Sequence, residues 1–366
     1  MPLFASNPTQ APQKIPFFKG DHRRFLALIP LLLASCTAAP PSVTEEPTPE
    51  EQVQVVVSSD ILCDLTRQVA AETIDLTCLM DPDQDPHTYQ ATPSDRRAIA
   101  QAALFLYDGY NLSAGTAGLA ESADAGVKTL AVYEKAVPDP ILAVHHHHHH
   151  GDHDHAHDDH DHAHDHDHAH DDHDHDHDHA RDDEKVPDPH VWHNVQHMIT
   201  VVDIIATALA EVAPEHAETY EENAAELAAT LSELDDWIRE QVETIPAGQR
   251  VLVTTHDAFN YFVEAYGIEA SKALQGVSTE ETPSAAAVKN VVEKIQAANV
   301  PTIFTELTAS NRAIATVARE AGVTVAENPL YTESTGTAGS YVGMMAANTC
   351  VIVEGLGGRC TPFAAQ

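Results

Sequence analysis

Nineteen of the chain's 26 histidines crowd between His145 and His179, interleaved with twelve aspartates, and the other seven are scattered. Neutral imidazole is a common ligand for zinc and its neighbours in the transition series, so both groups point to metal chemistry of different kinds. The tract "HHHHHHGDHDHAHDDHDHAHDHDHAHDDHDHDHDHA" holds no apolar residue larger than alanine. Burial cannot offset its ordering entropy, and a disordered loop over residues 141–185 is expected. His145, His150, His153, His155, His164 and His179 stand for its many equivalent donors. Each ion bound there must order chain, so the loop should bind several ions weakly and raise their local concentration beside any stronger site. The bland alternative is a solvated spacer. Imidazole titrates near pH 6.5, so loop occupancy should fall between pH 7 and 5.

Outside the tract, three histidines fall where strands end or prolines mark loops: His87 in "DPHTYQATPSD", His190 in "DPHVWHN" and His256 in "VLVTTHDAF". In open α/β sheets ligands collect at the carboxyl ends of strands, which makes convergence of these three plausible. His193 and His197 follow His190 at spacings that can share a helical face. Asp85 and Asp188 read as shapers of Asp-Pro turns. Asp257 either orients its neighbour His256 or is the first-turn acid of a helix. Glu306 ends the strand in "IFTEL" and supports a ligand from behind more readily than it binds an ion.

The elements that must position these residues are legible. "VQVVVSS", "IDLTCLM", "ALFLYDG" and "VKTLAVY" read as strands alternating with helical stretches, which indicates an α/β lobe over residues 53–212 with a largely parallel sheet. Residues 213–246 read as one linking helix, with Leu227, Leu231, Leu234 and Ile238 on a single stripe. Residues 247–366 restart the alternation. The expected architecture is two lobes, each with a mainly parallel sheet flanked by helices, joined by one long rigid helix with the metal site in the cleft.

A net charge of −38 excludes nucleic acid as a partner, since phosphate binding needs displaced counterions. Basic residues precede the apolar run "FLALIPLLL", which is too short to span a bilayer and suits a signal peptide over residues 1–35. "LASC" resembles a lipobox, implying lipid on Cys36; plain secretion with Cys36 in a disulfide is the alternative. Residues 36–52 are Pro- and Glu-rich, as in a disordered tether. Cys63, Cys78, Cys350 and Cys360 remain, with structural disulfides expected and all three full pairings open.

"DPHTYQATPSD", "DPHVW", "THDAFNYF" and "YTESTG…GSYVGMMAAN", in that order, resemble the ligand motifs of the metal-specific solute-binding proteins of bacterial ABC importers, the zinc and manganese cluster A-I. The resemblance covers nearly the whole mature chain. It implies that His87 and His190 from one lobe and His256 and Glu333 from the other bind the ion. Glu333 stands where the family commonly has Asp, so either it or water completes the shell. Three imidazoles favour Zn²⁺, with Mn²⁺ as the alternative. The implied partners are an ABC permease and its ATPase. The implied protein is an exported, lipid-anchored monomer in the periplasm or on the outer face of the cytoplasmic membrane. A metal-storage or adhesin lipoprotein is the other reading within the same fold. An enzyme is disfavoured, because neither HExxH nor GxSxG occurs.

Overall fold

A computed structural model describes residues 52–145, 184–281, 283–298 and 300–365. The signal peptide, Cys36, most of the tether and the tract residues His150, His153, His155, His164 and His179 lie outside them.

The first lobe opens with β1 (Val53–Val57), α1 (Asp60–Ala70), β2 (Ile74–Cys78), α2 (Pro93–Gln101), β3 (Leu104–Tyr107), α3 (Ala114–Glu121), β4 (Lys128–Ala131) and α4 (Val132–Ala136). Its four strands are all parallel, in the order β2-β1-β3-β4. Val55, Val57, Leu104 and Leu106 are fully buried, as β-branched and leucine runs require in a sheet covered on both faces. Cys63 on α1 is bonded to Cys78 at the end of β2, and Cys350 to Cys360 near the carboxyl terminus.

The chain departs from the sequence expectation at the root of the tract. β5 (Leu142–His145) and β6 (Glu184–Pro187) pair antiparallel, with His145 opposite Glu184. Residues 141–145 and 184–185 therefore belong to an ordered ribbon, because ladder hydrogen bonds offset what their composition alone would not. His145 is a strand residue.

α5 (Val195–Val212) follows, then a 3-10 turn at Pro214–His216 and α6 (Ala217–Glu243). The expected linking helix is thus 27 residues long, shorter than residues 213–246, because Pro214 initiates the separate turn. Leu227, Leu231, Leu234 and Ile238 are buried along it. α6 packs on α1 and α5 of the first lobe. The second lobe consists of β7 (Val251–Thr254), α7 (Asn260–Tyr266), β8 (Glu269–Ala273), α8 (Ala285–Ala298), β9 (Thr302–Ile303), α9 (Arg312–Ala321), β10 (Thr324–Val325) and α10 (Tyr341–Gly355). α7 and α10 pack on α6 from this side. Its strands pair in parallel as β7 with β8 and β9 with β10, and the Phe304 amide donates to the Val253 carbonyl to join the two pairs. One continuous core, from Leu62 and Leu65 through Leu231 and Ile238 to Ile352, unites both lobes.

Candidate metal centre

Each site residue sits where a strand or helix gives way to a turn. His87 lies in the 3-10 turn Pro86–Thr88, capped by Asp85, whose carboxylate accepts from the His87 amide at 2.9 Å. His190 directly precedes a second such turn, Val191–His193. Asp188 accepts there from the His190 amide at 3.0 Å and from ring Nδ1 at 2.7 Å. His256 follows β7, and Glu333 lies in the loop between β10 and α10.

The four converge. His87, His190, His256 and Glu333 each offer one ligand atom, all within 4.8 Å of one another. Glu333 Oε1 lies 2.9 Å from His256 Nε2, 3.2 Å from His190 Nε2 and 3.6 Å from His87 Nε2, and the His87 and His190 Nε2 atoms are 3.3 Å apart. His190 and His256 are fully buried and Glu333 nearly so, while His87 is the least enclosed.

The supports differ by residue. Glu306 holds His256 through three contacts. Its Oε1 accepts from the amides of Thr255 and His256 at 2.7 and 2.9 Å, and its Oε2 pairs closely with ring Nδ1. Asp257 does not perform this task. Its amide donates to the Gly276 carbonyl, the His256 ring nitrogen is already taken by Glu306, and α7 begins three residues later, so it is neither the orienting group nor a first-turn acid. His193 is buried and stacked on Phe259 at 4.3 Å, and both its ring nitrogens lack a partner among the described residues.

First-lobe residues grip the Glu333 loop on both sides. Trp192 Nε1 donates to the Thr332 carbonyl at 2.8 Å, and Asp60 accepts from the Thr335 amide and hydroxyl at 2.7 and 2.8 Å. Thr279 of the second lobe donates to Asp85 at 2.6 Å beside His87. Sequence reasoning missed Asp60, Trp192 and Thr279, and took Asp188 for a turn former only. The repeated Asp-Pro-His triplet was the signal that Asp85 and Asp188 sit where they can hold the histidine two residues on.

The electrostatics suit a cation. Burial pushes the His190 ring down, but the carboxylates of Glu333 and Asp188 outweigh it and lift it to about 9. Burial likewise works against a charged His256, yet Glu306 and Glu333 hold it well above the ordinary imidazole value. Glu333 would be raised by burial but is held well below the carboxylate range, His190 being the largest contributor. Carboxylates ring the imidazoles so closely that positive charge is favoured in the cleft, whether from protons or from a metal ion.

Fold and site define a two-lobed protein with a cluster of side chains able to hold a metal ion in the interlobe cleft. Residues 55–355 match the ZnuA family, described as zinc-uptake complex component A, periplasmic. The chain belongs to that family. It is 27% identical over 336 residues to the manganese ABC transporter substrate-binding lipoprotein PsaA of Streptococcus pneumoniae, covering 90% of this chain and 96% of the relative. It is 28% identical over 315 residues, 84% of this chain and 90% of the relative, to the manganese-binding lipoprotein MntA of Bacillus subtilis. Among solved structures, the periplasmic zinc binding protein TroA from Treponema pallidum superposes with a TM-score of 0.68 at 26% identity, covering 84% of this chain and 99% of that one. The protein is accordingly the substrate-binding component of a metal ABC transporter, acting outside the cytoplasm with a permease and an ATPase as its partners, and is not an enzyme.

Proposed function

We propose that this protein captures Zn²⁺ through His87, His190, His256 and Glu333 and presents it to the permease as a monomer tethered by lipid on Cys36. The observation that carries the reading is the buried meeting of three imidazole nitrogens and one carboxylate oxygen within 4.8 Å. Donors about 2.05 Å from a tetrahedral zinc ion stand about 3.3 Å apart, and the four separations above scatter around that value. Neutral nitrogen donors favour zinc over harder ions. The His/Asp tract acts as a weaker collector that concentrates metal near the cleft.

Manganese is the second reading. Glu333 Oε2 is buried with no hydrogen-bond partner among the described residues, and a second oxygen on the ion would make the site harder and five-coordinate. The relatives PsaA and MntA carry manganese in their names.

The deciding experiment equilibrates the full-length chain with a chelator that strips the weaker tract, then competes Zn²⁺ against Mn²⁺. One tightly held Zn²⁺ is expected, lost in His256→Ala and His190→Ala. Retention of that ion in both variants would overturn the ligand assignment, and preferential Mn²⁺ uptake would overturn the choice of metal.

A further inference from the structure

Glu333 reaches the cleft from a loop that is pinned almost residue by residue. Before it, the Leu330 amide donates to the Thr305 carbonyl at 2.8 Å, and the Asn348 side chain closes on the Tyr331 amide and carbonyl at 2.9 and 2.7 Å. Thr332, directly next to Glu333, has its carbonyl held by Trp192 Nε1. After it, Thr335 is held by Asp60, the first residue of α1. Between those last two pins lie only Glu333 and Ser334.

The pin at Asp60 is built to be stiff. One carboxylate oxygen, Oδ2, accepts from both the Thr335 amide and the Thr335 hydroxyl. Bonds to an ionised acceptor are the stronger kind, and the amino-terminal turn of a helix favours negative charge. One turn further along α1, Asp64 accepts from the Tyr341 amide at 2.8 Å, so the same helix also holds the start of α10. Thr335 and Tyr341 are buried and Asp60 is half-buried.

What the pins fix is which oxygen Glu333 offers. Oε1 faces all three imidazoles, at 2.9, 3.2 and 3.6 Å from their Nε2 atoms. Oε2 is buried with no hydrogen-bond partner among the described residues, and so is the neighbouring Ser334 hydroxyl. A buried oxygen without a partner gains by turning to any cation within reach, so keeping the one-oxygen pose requires the backbone on either side to be held. One oxygen with three nitrogens makes the four-donor shell that zinc prefers. Two oxygens from a freed carboxylate would make a harder shell, which suits Mn²⁺ better.

We propose, resting on the zinc reading of the cleft, that Asp60 is a positioning residue for Glu333 and that its hold on Thr335 sets the preference of the cleft for Zn²⁺ over Mn²⁺. Asp60 acts through Thr335 and is not one of the four donors. Without it, the pins at Leu330, Tyr331 and Thr332 remain and the loop slackens on one side only. The carboxylate stays in the cleft but is free to turn, and zinc loses more by this than manganese does.

The test compares the full-length chain with Asp60→Ala, Asp60→Asn and Thr335→Val, each titrated with Zn²⁺ and with Mn²⁺ against a chelator strong enough to strip the tract. Asp60→Ala is expected to shrink the ratio of zinc to manganese affinity about tenfold. Asp60→Asn, whose side-chain carbonyl can still accept from Thr335, should restore most of that ratio. Thr335→Val keeps the amide bond and loses the hydroxyl, so its ratio should fall between the two. Melting of the metal-free variants reports folding, and if Asp60→Ala does not fold, the similarly shaped Thr335→Val decides. An unchanged ratio in the deciding variant, with both affinities falling alike, would mark a merely structural role and overturn the inference. So would an Asp60→Asn that behaves as Asp60→Ala. A wild-type cleft that prefers Mn²⁺ would instead sink the zinc reading, while a further shift of the ratio towards Mn²⁺ in the variants would leave the role of Asp60 standing.

Discussion

In the first lobe, the aspartate two residues before His190 holds its ring, and the equivalent Asp85 holds the His87 amide. In the second lobe, the carboxylate that holds His256 is Glu306, fifty residues away. The first arrangement is encoded in a tripeptide and forms with its turn. The second exists only once β7 and β9 lie side by side, where the Phe304 amide reaches the Val253 carbonyl. Two histidines with the same chemical task thus depend on folding at very different ranges, and the second-lobe support doubles as a structural joint.

The sharpest way to break this contrast is to neutralise the two carboxylates in turn. In Glu306→Gln the carboxamide presents N–H where His256 needs an acceptor, so zinc affinity should fall about 10–100-fold. Buried amides and ring left poorly paired should also cost about 1–3 kcal/mol of folding stability. Asp188→Asn should weaken zinc by a similar or smaller factor and lower the melting temperature somewhat less, since its bonds to the His190 amide and ring form within one turn. Chelator competition and calorimetry on both variants check this, and equal stability losses would erase the distinction.

A change of pH should have a smaller effect, exerted on both lobes together. The His190 ring, held at about 9 by its carboxylates, and His256, shifted in the same direction, stabilise the metal-free protein through their protonated forms. That contribution is complete below pH 6.5 and is lost as pH rises towards about 9. Zinc competes with those protons, so its affinity should rise over the same window. Melting curves should show the gap between zinc-loaded and metal-free protein widening from pH 6.5 to 9. A gap that stays constant would mean that the imidazoles are not protonated in the absence of metal.

The smallest effect is expected at the clasp between the lobes. Thr279→Val removes the hydroxyl that donates to Asp85, a single bond worth about 1 kcal/mol net. Stopped-flow release of zinc to a chelator should accelerate no more than about tenfold. A hundredfold change would place control of release at the clasp and not at the carboxylates behind the histidines.

The same contrast explains what could be read from the sequence. Strand and helix periodicity placed the first-lobe elements because their strands are continuous apolar runs. The Asp-Pro-His triplets and the strand end at His256 pointed to residues that the fold brings together. Glu306 was legible as a support behind a ligand, but not that the ligand is His256. Asp257 is adjacent in sequence, but the His256 ring nitrogen is taken by Glu306, and sequence proximity says nothing of the strand crossing that delivers it. Asp60 and Trp192 were illegible for the same reason, since each meets the Glu333 loop only through the packing of one lobe on the other. The hairpin at the tract was missed because Leu142–His145 and Glu184–Pro187 are paired across a long intervening stretch of chain.

That hairpin has a consequence for how the protein can change over generations. The two strand ends that bracket positions 146–183 of the sequence meet on one rung of the ladder, His145 opposite Glu184. By loop-closure entropy, each doubling of the number of residues between two joined ends costs only about 0.6 kcal/mol. Repeats of His and Asp can therefore be gained or lost there, as slippage in a repetitive gene would do, while the cleft stays as it is. The number of imidazoles between these two strand ends can then vary without any change to His87, His190, His256 or Glu333.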